Sequence, residues 1–176
     1  MPCALTSGVS RYDCTSPSGG IEELYLLAFD ELTSITVTAC EVTAITTSGA
    51  PSTWYRYELN EEVGLLETTF EKNVQNNSSI YTTNLSFTIT GMEASKCNEL
   101  NLLAIQRLVG IVKTADGKYF LAGDQRGLHR SGGTNNSSTG TAFSDLQGYA
   151  INLMSRSDHD TYEIDAAVIA GLTIAV

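Results

Sequence analysis

The stretch from Ile80 to Ala122 constrains this chain more than any other, because its pattern changes from strand to helix and back, with a boundary signal at each change. From Tyr81 to Thr90 the odd positions are Tyr81, Thr83, Leu85, Phe87 and Ile89. The even positions Thr82, Asn84, Ser86, Thr88 and Thr90 are all polar. A period of two places one face of a strand in a core and the other in water. Thr90-Gly91-Met92-Glu93 then has the form of a capping box, and predicts a helix over about 91–106. Ala94, Cys97, Leu100, Leu103 and Ala104 recur at helical spacing, a stripe expected to lie on the sheet. Leu108 to Val112 is extended again. Asp116-Gly117 ahead of Lys118-Tyr119-Phe120-Leu121 predicts a tight hairpin, since Gly takes positive φ without a Cβ penalty.

On either side the pattern is mostly strand. Residues 1–20 hold Pro2, Pro17, Gly8, Gly19 and Gly20 with several serines, and are expected to be an extended N-terminal arm with little to bury. Residues 21–176 are expected to form one domain. Ile21 to Phe29 is almost continuously apolar, as in a strand covered on both faces, and one of those faces is expected to meet another subunit. Ile35 to Thr46 alternates with a slip of parity between Ala39 and Val42, the mark of a bulge or turn. Trp54 to Leu59 alternates too, with Trp54, Arg56 and Glu58 opposite Tyr55, Tyr57 and Leu59. Val63 to Lys72, the polar run Asn73 to Ser79, and the strand from Tyr81 predict a long hairpin. Gly123 to Thr141 is loop-like, too rich in Gly, Ser and Asn to order itself unaided. The remainder, around Tyr149 to Met154 and Tyr162 to Ala166, is expected to be strand. The fold class is therefore mainly β, an antiparallel sandwich or barrel with one flanking helix.

Composition and spacing exclude several kinds of chemistry. With 20 acidic and 10 basic residues the chain carries a net charge of −10, so it should repel nucleic acid and anionic membranes. None of Cys3, Cys14, Cys40 and Cys97 forms a CxxC pair, and neither His129 nor His159 stands near them, which argues against zinc. Cys40 and Cys97 are expected to be small buried hydrophobes. Spacing leaves open whether Cys3 and Cys14 pair. The N-terminus has no basic region followed by an apolar stretch, so the sequons at Asn76, Asn77, Asn84, Asn135 and Asn136 are expected to stay unmodified. Gly123-Asp124-Gln125-Arg126-Gly127 lacks the lysine and the strand-to-helix step of a phosphate loop. Ser157-Asp158-His159-Asp160 reads as a solvated loop, and Glu61 and Glu62 as neighbours that point apart. No catalytic, cofactor or metal residues are assigned, and no enzymatic activity is expected.

A set of framework segments carries a resemblance. Gly19-Gly20-Ile21 leading to Leu24-Tyr25-Leu26, Tyr55-Arg56-Tyr57-Glu58, Leu85-Ser86-Phe87, Asn98 to Ala104, Arg107 to Val112, Gly117 to Leu121 and Thr139 to Tyr149 together resemble small virion proteins of tailed phages infecting Bacteroidetes-type bacteria, in particular the tail tube group. The similarity runs from about residue 19 to 168. It implies a β-sandwich with a flanking helix that closes into a ring, commonly sixfold, and stacks into a hollow tube in the virion tail. The implied partners are further copies of the chain, other tail proteins, and genomic DNA that passes through the lumen without specific binding.

The physics is consistent with that implication. A wall past which DNA slides should offer few cations, because each neutralised phosphate adds salt-dependent affinity. Copies that repel one another need apolar burial and strand pairing to associate. The expected interface residues are Leu24, Leu26 and Phe29 on the first strand. Leu65, Leu66, Phe70, Val74, Ile80 and Tyr81 complete the set on the long hairpin. Two other classes are carried alongside: a different β-type phage head, connector or minor virion protein, and a carbohydrate-binding module. For the module, Trp54 with Tyr55 and Tyr57 is the candidate aromatic row, and alternation sends Trp54 to the face opposite the two tyrosines.

Overall fold

An apolar run without alternation must be covered on both sides, and strand β1 (Ile21–Ala28) is covered on both by its own chain in the computed structural model, which describes residues 18–48, 53–131 and 136–175. Leu24 and Leu26 face one cluster with Leu85, Phe87 and Leu153. Tyr25 and Leu27 face a second with Val42, Trp54 and Ile111. The expectation that one face of this strand meets another subunit is thereby corrected: Leu24 and Leu26 are 0% and 1% exposed and have no surface left to offer. Phe29 follows in a 3-10 turn, Phe29–Glu31, half-buried beneath the Arg107 guanidinium, which lies 4.8 Å from its ring centroid.

The remaining elements, in chain order, are β2 (Leu32–Thr38), β3 (Glu41–Thr47), β4 (Thr53–Glu58), β5 (Gly64–Asn73), β6 (Ser78–Thr90), α1 (Ala94–Ile105), β7 (Leu108–Thr114) and β8 (Tyr119–Ala122). They continue with β9 (His129–Arg130), β10 (Asn136–Ser138), β11 (Gly148–Ser157), β12 (Tyr162–Ile164), α2 (Ala166–Ala170) and β13 (Thr173–Ala175). Eight strands form one sheet in the order β13-β4-β1-β7-β8-β12-β3-β2, with β13 parallel to β4 and β12 parallel to β3. The second sheet runs β10-β11-β6-β5, with β9 also on β11. Val42 on β3 and Trp54 on β4 share a cluster although β1, β7, β8 and β12 stand between their strands. The larger sheet therefore curls around that cluster, and Ile169 of α2 plugs it. The other cluster lies between the two sheets, with Leu100 and Leu103 of α1 against it. The expected class, mainly β with a sandwich-like pair of sheets and one main helix, is what the chain forms.

Several local expectations change. Thr90 stays in β6, paired with Gly148 of β11, so it cannot act as the helix cap. Gly91 turns the chain at φ 81, and α1 starts after Glu93, whose side chain makes no capping bond. Lys96 Nζ donates to the Thr90 carbonyl at 2.9 Å instead. Of the expected stripe on α1 only Leu100 and Leu103 are buried, whereas Ala94, Cys97 and Ala104 face solvent. The parity slip after Ala39 is a two-residue turn with positive φ at Ala39 (53°) and Cys40 (67°), the geometry that fits the twist of paired strands. Cys40 and Cys97 are both exposed, which corrects the buried reading. The first stands at a turn tip and the second on the outer side of a helix. The segment after Ala122 buries more than its composition suggests. Leu128 is 0% exposed and exchanges both backbone hydrogen bonds with Leu108, at 2.9 and 2.6 Å. The expected arm and the Cys3–Cys14 question fall on 1–17, outside the described residues.

Candidate assembly surface

In an antiparallel pair, side chains directly opposite one another share a face, so the register of β5 with β6 sorts the long hairpin residue by residue. Leu66 stands opposite Leu85, Thr68 opposite Thr83, Phe70 opposite Tyr81 and Lys72 opposite Ser79. At the root this face is core: Leu85 is 0% exposed, Thr83 is 3%, and Leu66 packs against the same cluster. Beyond Thr68 the cover stops. Every residue from Thr69 to Ile80 is exposed, so both faces of the hairpin end stand in solvent. Phe70 and Tyr81 make a tilted ring pair with centroids 4.8 Å apart, and Lys72 is the next residue along that face. Glu67 and Glu71 fall on the opposite face. An isolated two-stranded ribbon is marginal in water. Here ten ladder pairs hold it, from Gly64 with Phe87 to Asn73 with Ser78.

The expected interface residues divide accordingly. Leu65, Phe70, Val74 and Ile80 are 56%, 51%, 81% and 40% exposed, while Leu66, Tyr81 and Phe29 are half-buried. Leu24 and Leu26 belong to the interior. Sequence reasoning missed a second apolar surface. Leu102 and Ile105 on α1 are 46% and 84% exposed, and Leu102 shares a cleft with Tyr55, itself 53% exposed. The signal was present in the sequence as apolar residues off the Leu100/Leu103 stripe. Between α1 and β4 lies a cleft of about 260 Å³, floored by Leu26, Leu103 and Leu108, rimmed by Tyr55 and Leu102, and lined as well by Glu31 and Glu99. The Tyr57 hydroxyl donates to Glu99 at 3.3 Å, and burial, followed by the Glu99 charge, pushes that phenol well above its ordinary value.

No family model, curated protein or solved structure matches this chain.

The remaining polar grouping is a clasp. His159 Nε2 lies 3.1 Å from the Asp124 carboxylate, whose side chain is only 8% exposed, and Nδ1 lies 2.7 Å from the Asp160 carbonyl. The imidazole stacks on Tyr162 at 4.2 Å. Gln125 brackets Asp158, donating to its carboxylate and accepting from its N–H at 3.2 Å. Burial pushes the Asp124 carboxyl above its ordinary value, and the facing His159 partly offsets this. The loop read as solvated is thus pinned to the turn after β8. Both ring nitrogens face acceptors, and the space around them, about 10 Å³, has room for at most one water. Such a site fixes a loop and leaves no place for a substrate. Glu61 and Glu62 are exposed in the turn before β5. Among the described residues no three His, Cys, Asp or Glu side chains converge to hold a metal, and no helix is long and apolar enough to cross a membrane. Trp54 is 1% exposed, so the aromatic row that a carbohydrate-binding surface would need is reduced to Tyr55.

Proposed function

We propose that this chain is a non-catalytic structural subunit that assembles with copies of itself, and that the assembly is the ring-stacked tube of a phage tail. The observation that carries this reading is the hairpin end, where the core-facing side of the ribbon runs on through Phe70 and Tyr81 past the point at which the described residues cover it. A monomer has no use for such a projection, since exposed ribbons and contiguous apolar patches are liabilities unless a partner takes them up. The curled sheet and flanking helix are compatible with the sandwich implied by the tail tube resemblance. The net charge of −10 suits a wall along which DNA slides, because few cations are offered to phosphate.

In this reading the protein is part of the virion, its partners are further copies and other tail components, and DNA passes without specific contacts. The test is direct. Purified protein should form rings or tubes in negative-stain images and fast-sedimenting species that grow with concentration. Replacing Asn73–Ser79 by a two-residue turn should leave a folded protein that assembles poorly. A single monomeric species up to the solubility limit would overturn self-assembly. Closed shells or single rings without stacking would favour a head or connector role over a tube.

A further inference from the structure

The hairpin end offers exposed apolar side chains and a lysine, the α1–β4 cleft an apolar floor with two acidic residues, and they lie on different sides of the molecule. β5 begins against β1, where a Cβ on Gly64 would come within 2.8 Å of the Ile21 Cβ. By Leu66 and Thr68 it faces Thr114, Phe120 and Thr161, at the ends of β7, β8 and the approach to β12. The ribbon therefore leaves the molecule toward the β12 side of the larger sheet. The cleft stands toward the other side, on β1 and β4.

We infer that the hairpin end of one copy seats in the α1–β4 cleft of a second copy, with Phe70 and Val74 against Tyr55 and Leu102, and Lys72 toward Glu99 and Glu31. The inference rests on the self-assembly reading and specifies its contact. One face of the hairpin end carries the Phe70–Tyr81 pair and Lys72, while the acids of β5, Glu67 and Glu71, stand on the other face. Lys72 has no ion-pair partner among the described residues. Two acidic residues, Glu31 and Glu99, line the cleft over an apolar floor, so Lys72 would meet opposite charge there. Its volume lies below the roughly 300–1,000 Å³ of small-molecule sites and suits side chains better than a cofactor. A projection on one side that fits a recess on the other is a heterologous contact, which closes into a ring when the rotation permits and otherwise runs on as a filament.

A heterologous contact has a signature that a symmetric one lacks. Phe70→Asp spoils only the projection and Leu102→Asp only the recess. Each variant alone should sediment as a monomer with the parent's melting profile. Mixed in equal amounts they should form a one-to-one dimer and nothing larger, because one intact projection meets one intact recess and both remaining ends are broken. Lys72→Glu and Glu99→Lys, singly, should raise the concentration needed for assembly at least tenfold, and combined in one chain should restore it. This second pair decides the matter if Leu102→Asp fails to fold. Parent protein that assembles while these variants assemble as readily overturns this contact and leaves self-assembly standing. A mixture that stays monomeric overturns the head-to-tail fit. Parent protein that never assembles overturns both readings.

Discussion

β1 and the end of the β5–β6 hairpin are built from similar residues and have opposite surroundings. Leu24, Tyr25, Leu26 and Leu27 are at most 5% exposed, whereas Phe70, Val74 and Ile80 are at least 40% exposed. β-Propensity does not separate them, since it measures fit to a half-buried pleated surface rather than a backbone preference. What separates them is cover. β1 lies between β4 and β7 in the sheet, with a hydrophobic cluster on each face. Among the described residues the hairpin end has one strand partner and no layer on either side. Stability therefore resides in the first region, and the second is where the proposed partner contact would sit.

The largest effect should come from opening the covered strand. Leu24→Ala or Leu26→Ala should each cost roughly 2–5 kcal/mol in urea unfolding, through lost transfer energy and a residual cavity. A cost below about 1 kcal/mol would place these side chains at a surface and revive the idea that β1 meets a subunit.

Next come the two sides of α1. Leu100→Ala and Leu103→Ala should cost about 2–3 kcal/mol, in the lower part of the range for buried leucines because the helix can settle inward. Ile105→Ala and Lys96→Ala should stay within about 0.5 kcal/mol of the parent. Equal melting temperatures across the four would mean that the buried side of the helix has been misplaced.

A smaller effect reads the rim of the covered strand through pH. The Tyr25 hydroxyl donates to Glu23, and this bond, ahead of the charges of Lys113 and Arg56, holds the Glu23 carboxyl below its ordinary value of 4.5. A carboxyl whose folded value is depressed stabilises the fold above its unfolded value, and that contribution is lost as pH falls through the lower folded value. Tyr25→Phe should remove roughly 1 kcal/mol at neutral pH and flatten the acid limb below pH 4.5. An unchanged slope would show that the charges of Lys113 and Arg56, not the Tyr25 bond, hold Glu23.

The difference between the regions was only partly legible in the sequence. Strict alternation from Tyr81 to Thr90 gave the right buried face, because a period of two fixes Leu85 and Phe87 together whatever covers them. The unbroken run at Leu24 to Phe29 showed that both faces were covered but not by what, since one chain's core and another chain's surface demand the same residues. Cys40 was misread for a related reason: its exposure follows from a two-residue turn that no Gly or Asn announces. His159 and Asp124 are thirty-five positions apart in the numbering. They meet only because β8 and β12 pair, a long-range contact that local pattern does not encode. The outer apolar residues of α1 were visible but went unused, because the Leu100/Leu103 stripe already accounted for a helix on a sheet.

The smallest effect on the monomer is the one that most sharpens the comparison. If the hairpin end is uncovered, Phe70→Ser with Val74→Ser removes surface that was already wet. The change in unfolding free energy should then stay within about 0.5 kcal/mol of zero, in the range of ordinary surface substitutions. Amide exchange supplies the second measurement. The ladder beyond Thr69 lacks side-chain cover, so it should open in local fluctuations far below the global unfolding free energy, while β1 and β7 exchange only on global unfolding. In assembled protein the same amides should slow toward the β1 values, because a neighbour then supplies the missing layer. A cost above about 2 kcal/mol for the double substitution would mean that the monomer already packs something on this face. Equal protection of both regions in the monomer would carry the same meaning, and the contact between copies would then have to be sought at the sheet edges β2 and β13.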